Sequence, residues 1–283
     1  MTDKPFSINV RGRLIDLSVP RVMGIINVTP DSFFSESRVE SEAEIIEKAG
    51  RMLEDGADFI DIGGWSSRPG AAEIPPEEEK KRVITAVRAI SREFPRVAIS
   101  VDTFRSEIAE EAIVEHGAGM INDIAGGEAD SNMFQTVSRL QVPYIIMHMQ
   151  GKPAWMQQNP RYDDITADII KWFGERTVKL QSMGVNDIII DPGFGFGKNS
   201  GHNFELLRHL GDFSIIGLPV LVGVSRKTMI WETLGISPGE ALNGTTVLNT
   251  VALLEGADIL RVHDVKEAVQ AVKLVMKLKN SAK

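Results

Sequence analysis

The fold of this chain is decided around Ile188-Ile189-Ile190-Asp191-Pro192-Gly193-Phe194-Gly195-Phe196-Gly197-Lys198. Three β-branched residues in a row predict a short buried strand, which ends at an acid and a proline. Glycine at every second position then lets the backbone approach a flat ligand closely or adopt a positive φ angle. The two phenylalanine rings could wall such a ligand, with Asp191 facing it. A tight strand-to-helix turn explains the same residues equally well, so the rest of the chain has to decide.

The same unit occurs eight times along the chain: a short apolar strand, a polar end, a loop and a helix. Alternating strands and helices predict a parallel sheet, and eight is the number of units that closes a (β/α)8 barrel. We therefore predict an α/β fold, a (β/α)8 TIM barrel. An open doubly wound sheet is the alternative, but no Gly-x-Gly-x-x-Gly motif follows the first strand. The predicted strands cover residues 22–27, 58–63, 97–102, 119–123, 143–149, 187–191, 219–224 and 258–263.

Helices are predicted between the strands from capping residues and apolar periodicity. A capping box over residues 41–44 starts a helix that ends near Gly56, and Pro75-Pro76 before three glutamates starts the next. The remaining predicted helices cover residues 105–116, 131–140, 164–183, 204–210, 244–254 and 265–278.

The chain begins with residues that alternate around Arg11-Gly12, which predicts a β-hairpin. It is additional to the eight units, and we expect it to cover the bottom of the barrel. No linker-like stretch or change in composition follows. The expected organisation is a single domain over residues 1–283, with the hairpin in 1–20 and the barrel in 21–283.

Composition narrows the class of protein. Of 283 residues, 43% are hydrophobic and 25% charged, which predicts a packed globular core. The net charge of -8 argues against a nucleic-acid partner. The absence of cysteine excludes disulfides, thiolate nucleophiles and cysteine-ligated metals. No signal-like apolar run opens the chain and no run is long enough to span a bilayer, so we expect a cytoplasmic protein without a membrane partner.

Each predicted strand ends in polar side chains, and in barrels these ends form the active site. A single polar residue there could simply cap the next helix, but eight together favour one polar mouth. One group offers acceptors and amides that suit a heterocycle with N–H donors: Asp61, Asp102, Asn122 and Asp191. Ser225-Arg226-Lys227 and Arg261-Val262-His263 follow the last two strands, where barrels commonly bind phosphate. Asn27 and His148 end two further strands.

Two long loops follow the first two strands, over residues 28–35 and 64–70. Both are rich in glycine, proline, serine and aromatic residues, and both exceed the usual length of about 2–6 residues for such connections. Loops of this kind over a barrel mouth are candidates for mobile lids.

Taken in chain order, these motifs resemble those of the dihydropteroate synthase family. The similarity includes every predicted strand end and runs from residue 23 to residue 264. The segments that carry it are Asn27–Phe33, Ser67–Gly70, Ser100–Thr103, Ile121–Ile124, Met147–Gly151, Asp191–Lys198, Ser225–Lys227 and Arg261–Asp264.

The resemblance implies a transferase of folate biosynthesis on a pterin-binding barrel. Such enzymes join 6-hydroxymethyl-7,8-dihydropterin pyrophosphate to p-aminobenzoate and release pyrophosphate. The displacement is SN1-like, Mg²⁺ assists it, and sulfonamides compete with p-aminobenzoate. The expected partners are these small molecules and a second copy of the chain in a homodimer.

The resemblance also implies roles for individual residues. Those expected to be catalytic and to hold the pterin ring are Asp102, Asn122, Asp191 and Lys227, with Met147 and Phe196 beside the ring. Those expected to bind pyrophosphate are Asn27, Arg68, Arg261 and His263, and Asn27 would also contact Mg²⁺. Those expected to form the p-aminobenzoate site are Phe33, Ser67, Arg68, Pro69, Phe196, Ser225 and Lys227.

Both loops depart from the family pattern. Residues 31–37 lack the second acid and the glycine pair that are usual in the first loop. In the second loop Trp65 stands where an acid is usual, and Ser67 replaces a threonine. We predict that Trp65 packs beneath its loop, since an indole buries a large apolar area. The alternative is that its ring joins the wall of the p-aminobenzoate site.

Three other functions compete with this interpretation. A pterin-dependent methyltransferase would share the barrel but needs no pyrophosphate site, so Lys227, Arg261 and His263 argue against it. A non-catalytic pterin-binding protein would have lost the second site through its altered loops. A phosphate-binding barrel of other chemistry has no use for Asp102, Asn122 and Asp191 together.

Overall fold

The computed structural model describes residues 6–28, 42–65, 74–151, 156 and 160–281. Its main sheet has eight strands, all running parallel to their neighbours. They are β3 (Arg21–Asn27), β4 (Phe59–Gly63), β5 (Ala98–Asp102), β6 (Met120–Asp123), β7 (Tyr144–Met147), β8 (Ile188–Asp191), β9 (Leu221–Val222) and β10 (Ile259–Val262). The order is β8-β7-β6-β5-β4-β3-β10-β9, and a bridge between Ile190 and Val220 joins the two edges. The predicted TIM barrel is therefore confirmed.

The predicted hairpin is confirmed as well. Its strands β1 (Ser7–Val10) and β2 (Arg13–Asp16) pair antiparallel, and both turn residues, Arg11 and Gly12, have positive φ angles. Its apolar face packs against one inward side chain from the lower end of each barrel strand. These eight side chains are Met23, Phe59, Ala98, Met120, Ile145, Ile189, Leu221 and Ile259. The hairpin thus closes the bottom and leaves the upper end for the site.

Helices surround the sheet and bury their apolar stripes against its outer face. They are α1 (Glu42–Glu54), α2 (Pro76–Glu93), α3 (Ser106–Val114), α4 (Met133–Leu140), α5 (Ile165–Ser182), α6 (Ser200–Arg208), α7 (Thr228–Leu234), α8 (Leu242–Leu254) and α9 (Val265–Ser281). Strands covered in this way are buried on both faces, which explains their nearly continuous apolar sequences. None of the helices in the described ranges is long and apolar enough to cross a membrane.

Two helical regions differ from the sequence prediction. Helix α6 begins at Ser200 because Asn199 and His202 form a reciprocal cap, and a 3-10 helix over Leu210–Ile216 follows it. Helix α7 was not predicted, because its seven residues are too few to establish a helical period. It begins directly after Lys227, so the basic segment 225–227 lies at a helix start rather than several residues before one.

Candidate active site

The upper end of the barrel carries the polar residues that the sequence placed there. Asn27, Asp102 and Asp191 are each the last residue of a strand, and Asn122 precedes the last residue of β6. A Cβ atom added to Gly63 would lie 3.5 Å from Asn27 Oδ1 and 3.5 Å from the Cβ of Asp102. Strand ends that are far apart in the sequence therefore meet in one mouth.

An arginine bridges two carboxylates at the centre of this mouth. Arg261 Nε lies 2.7 Å from Asp61 Oδ2, and Arg261 Nη2 lies 2.6 Å from Asp102 Oδ2. Asp61 Oδ2 also accepts a 3.1 Å hydrogen bond from Asn122 Nδ2. Arg261 was grouped with the basic residues after the last two strands, but its side chain lies among the acceptors. Asp61 is fully buried two residues before the end of β4, so it supports the site from within.

Burial shifts the pKa values of two acids in the mouth. It raises the pKa of Asp102 to about 7, against the opposing charge of Arg261 and with help from Asp61 and Glu79. Burial also raises the pKa of Asp191, while Lys227 opposes the shift most strongly. Perturbed carboxyl groups in a cleft are typical of functional sites.

The glycine-rich stretch after β8 folds against the loop that follows β7. Gly193 and Gly197 have φ angles of 74° and 63°, and Cβ atoms there would lie 1.9 Å and 2.3 Å from the carbonyl oxygens of His148 and Gln150. Side chains cannot fit at these two positions. Gly193 N donates a 2.8 Å hydrogen bond to Asp191 Oδ1 and so fixes that carboxylate.

The two phenylalanines of this stretch have different surroundings. Phe194 is fully buried in the core, so the expectation that both rings wall a ligand is wrong for it. Phe196 is half-buried, and Lys227 Nζ lies 4.7 Å from the centre of its ring. Lys227 also donates to the carbonyl oxygen of Phe194. Burial lowers the pKa of Lys227 to about 8, while Asp191 works to raise it.

At the basic end of the mouth, side-chain contacts join the residues after β9 to those after β10. Ser225 Oγ lies 3.0 Å from His263 Nδ1. Burial, with the charge of Arg261, lowers the pKa of His263 to about 3, so its imidazole is neutral at physiological pH. Arg226 forms two hydrogen bonds of 2.9 and 2.8 Å with Asp264 and so ties the loop after β9 to the residues after β10.

Some expected site residues lie outside the described ranges: Phe33, Ser67, Arg68 and Pro69. The neighbouring Trp65 is described. It is half-buried and packs edge-to-face on Phe104, with ring centres 5.3 Å apart. Met147 is buried at the end of β7.

Sequence reasoning missed two buried charged groups near the mouth. Glu79 was counted among acids that favour a helix start, but it is fully buried and accepts hydrogen bonds from Thr103 (2.7 Å) and Arg105 (2.8 Å). Lys198, 2% exposed, contacts His148 rather than the mouth. The position of Lys198 directly after the glycine-rich stretch could have identified it. Nothing in the sequence distinguishes Glu79 from its neighbours Glu77 and Glu78.

A comparison with protein families places these features in a class. The model of the pterin-binding enzyme family matches residues 23–263. That range reaches from the third residue of β3 to the residue after β10, and it includes Asn27, Asp102, Asn122, Asp191 and His263. The chain is therefore a member of the pterin-binding enzymes.

Similar proteins define the member of that class more closely. The chain is 44% identical over 267 residues to dihydropteroate synthase from Escherichia coli (strain K12), covering 94% of both chains. Dihydropteroate synthase from Yersinia pestis, solved as a sulfonamide drug complex, has a TM-score of 0.93, 41% identity and coverage of 97% of this chain and 100% of that one. The Xanthomonas albilineans enzyme, solved with 4-aminobenzoic acid, has a TM-score of 0.89, 38% identity and coverage of 98% and 99%. The chain belongs to the dihydropteroate synthase family.

Proposed function

We propose that this barrel joins 6-hydroxymethyl-7,8-dihydropterin pyrophosphate to p-aminobenzoate, which yields 7,8-dihydropteroate and pyrophosphate for folate biosynthesis. The observation that carries the proposal is the meeting of Asp102, Asn122, Asp191 and Lys227 at one barrel mouth. The sequence and fold similarity to dihydropteroate synthases over nearly the whole chain supports it.

The pterin ring lies across the floor of the mouth in this proposal. Its amino and ring N–H groups donate to the carboxylates of Asp102 and Asp191, which are charged acceptors in a buried setting. Because Asn122 Nδ2 donates to Asp61, the side-chain oxygen Oδ1 of Asn122 is the atom that accepts from the ring. Lys227 donates to a ring acceptor, while Met147 and Phe196 supply apolar contact.

The chemical step begins when the C–O bond to pyrophosphate breaks and leaves a cation on the pterin. Asp102 and Asp191 are fixed before the reaction and stabilise this charge as it develops, which is often the largest catalytic contribution. The arylamine nitrogen of p-aminobenzoate then forms the new C–N bond and loses a proton. The leaving pyrophosphate is bound by Arg261, by Arg68 and by the neutral imidazole of His263, which acts as a hydrogen-bond donor.

The p-aminobenzoate site is proposed to lie above the pterin. Phe196 provides a ring face, and Lys227 with Ser225 receives the carboxylate. Lys227 Nζ lies 4.7 Å from the centre of that ring, which supports the assignment. Phe33, Ser67 and Pro69 are proposed to complete this site.

Mg²⁺ is proposed to bind at Asn27 together with pyrophosphate oxygens. The ion prefers oxygen ligands and commonly takes only one or two protein groups beside phosphate and water. The amide oxygen of Asn27 near Asp102 suits this preference. Among the described residues no group of three or more acidic or histidine side chains could hold a metal, so the fit depends on the substrate's oxygens. When bound, the ion would neutralise charge on the leaving group.

A homodimer is the proposed assembly. Adjacent outer helices α8 and α9 expose large apolar side chains, namely Val247, Leu254, Leu274 and Leu278. A second copy would cover them, and sedimentation velocity would give the mass of the assembly.

A cytoplasmic location stays a prediction.

The test of the proposed activity is pyrophosphate release from the pterin substrate, measured with and without p-aminobenzoate. Release that depends on p-aminobenzoate, with formation of dihydropteroate, is the expected result. Pterin binding without turnover would instead identify a non-catalytic binding protein. Methyl transfer from methyltetrahydrofolate, with no use of the pyrophosphate substrate, would identify the rival transferase.

A further inference from the structure

A lysine is buried directly beneath the proposed site. Lys198 is 2% exposed, and its Nζ lies 3.0 Å from the carbonyl oxygens of Gly193 and Phe196. The same atom lies 3.0 Å from His148 Nδ1 and 3.3 Å from the carbonyl oxygen of His148. An ammonium group has three donors, so four acceptors around it use its full capacity.

These contacts join the two loops that follow β7 and β8. The loops already approach each other too closely for side chains at Gly193 and Gly197. Lys198 adds a polar link between them, and two of its acceptors, the carbonyl oxygens of Gly193 and Phe196, lie at the two ends of segment 193–196. Lys227 holds the same segment from the mouth side, through the carbonyl oxygen of Phe194.

The charge of Lys198 also has a neighbour in the site. Burial lowers the pKa of Lys198 well below its usual value, while Asp191 opposes this shift. His148 is neutral, because burial and Lys198 lower its pKa to about 2. A buried polar group is costly unless hydrogen bonds compensate for lost water, and the four acceptors around Lys198 Nζ supply them here.

We propose that Lys198 is a positioning residue of the synthase, holding Gly193 and Phe196 from below so that Asp191 and Phe196 face the substrates correctly. The proposal rests on the proposed function. Lys198 itself does not touch either substrate. It acts through Asp191, whose carboxylate is fixed by Gly193 N, and through the Phe196 ring against Lys227.

The test compares K198M with the wild type under steady-state conditions. Methionine keeps the apolar length of the chain but removes every donor. We expect the KM for p-aminobenzoate to rise about tenfold and kcat to fall, because a 1 Å displacement in a site can cost about 100-fold in rate. K279M is the matched control: Lys279 also donates to a backbone carbonyl, that of Leu253, but at the opposite end of the barrel. It should keep both constants.

Rescue separates positioning from bulk stability. The chain has no cysteine, so K198C can be alkylated at one position in denaturant and then refolded. An aminoethyl group restores a lysine-like cation, whereas a propyl group restores only the volume. The aminoethyl form should recover the KM for p-aminobenzoate and the propyl form should not. If K198M does not fold, K198Q, which keeps two donors, is measured instead and should show a raised KM.

Three results would overturn the proposal. One is a K198M or K198Q enzyme that loses melting temperature while its folded fraction keeps the wild-type KM and kcat. Another is equal recovery by the propyl and aminoethyl forms. The third is an equal change in K279M. A wild-type protein without p-aminobenzoate-dependent release would instead refute the proposed function, so the two failures can be told apart.

Discussion

Replacing Asp102 by asparagine tests whether a charged acceptor at the centre of the mouth binds the pterin. The substitution keeps the shape and one oxygen acceptor, and it removes the charge that Arg261 contacts at 2.6 Å. Arg261 retains its 2.7 Å bond to Asp61, so we expect the variant to fold. A hydrogen bond to a charged group contributes about 1.5–3 kcal/mol, which predicts weaker dihydropterin binding by about 10- to 150-fold at high pH.

The pH dependence sharpens this prediction. The pKa of Asp102 is raised to about 7, so its carboxyl is largely protonated below that pH and ionised above it. Between about pH 6 and about pH 8 the ionised fraction rises from about a tenth to about nine tenths, and wild-type affinity should rise about 5- to 9-fold, because the protonated form still binds weakly. The asparagine side chain does not titrate. The ratio of wild-type to D102N affinity for the dihydropterin should therefore fall by the same factor at low pH. Titration of Asp191 affects both proteins and cancels in the ratio.

Isothermal titration with 6-hydroxymethyl-7,8-dihydropterin at several pH values measures both effects. D258N is the control, because Asp258 is another half-buried carboxyl, with its pKa raised to about 6, directly before β10. It should bind the pterin like wild type. A D102N affinity that stays a constant fraction of the wild-type value across the pH range would refute the assigned role of the charge, as would an equal loss in D258N.

Three further predictions follow from the site and the core. Binding should be ordered: titration should show p-aminobenzoate binding only when pterin and pyrophosphate are present, and tight binding to the free protein would contradict this. Trp65→Ala should cost about 1–3 kcal/mol of stability through its contact with Phe104, and a much raised KM for p-aminobenzoate at an unchanged melting temperature would favour a wall role instead. Tyr144→Phe removes a 2.7 Å hydrogen bond to the fully buried Asp123 and should cost about 1–3 kcal/mol. That bond favours the carboxylate of Asp123, whose pKa burial raises to about 6, so chemical denaturation should show a larger loss above that pH than below it.

The barrel could be predicted because its strands repeat one local pattern. The eight predicted segments, each largely apolar with a polar end, are visible without knowledge of any contact. The hairpin was equally local, since a two-residue turn at Arg11-Gly12 fixes its register. Helix α7 was missed because seven residues between a basic loop and Gly235 do not reveal a period.

A local sequence pattern does not predict the contacts across the mouth. Nothing in the order of residues shows that Arg261 reaches Asp61 and Asp102, because the partners are 200 and 159 positions away. The same holds for Arg226, which appeared to belong to an anion site and instead pairs with Asp264. Their positions at the ends of predicted strands indicated that these groups lie at one end of the barrel, but the choice of partner depends on register and side-chain length.

The glycine-rich stretch shows how two interpretations can each account for part of one motif. Gly193 and Gly197 are required by a protein neighbour, because the loop after β7 occupies the space that their Cβ atoms would need. The turn hypothesis therefore explains these glycines without any ligand. The ligand hypothesis applies instead to Asp191 and Phe196, which the tight packing orients toward the mouth. Close packing of the loops after β7 and β8 thus requires the glycines. The same packing gives the Asp191 carboxylate and the Phe196 ring their fixed positions.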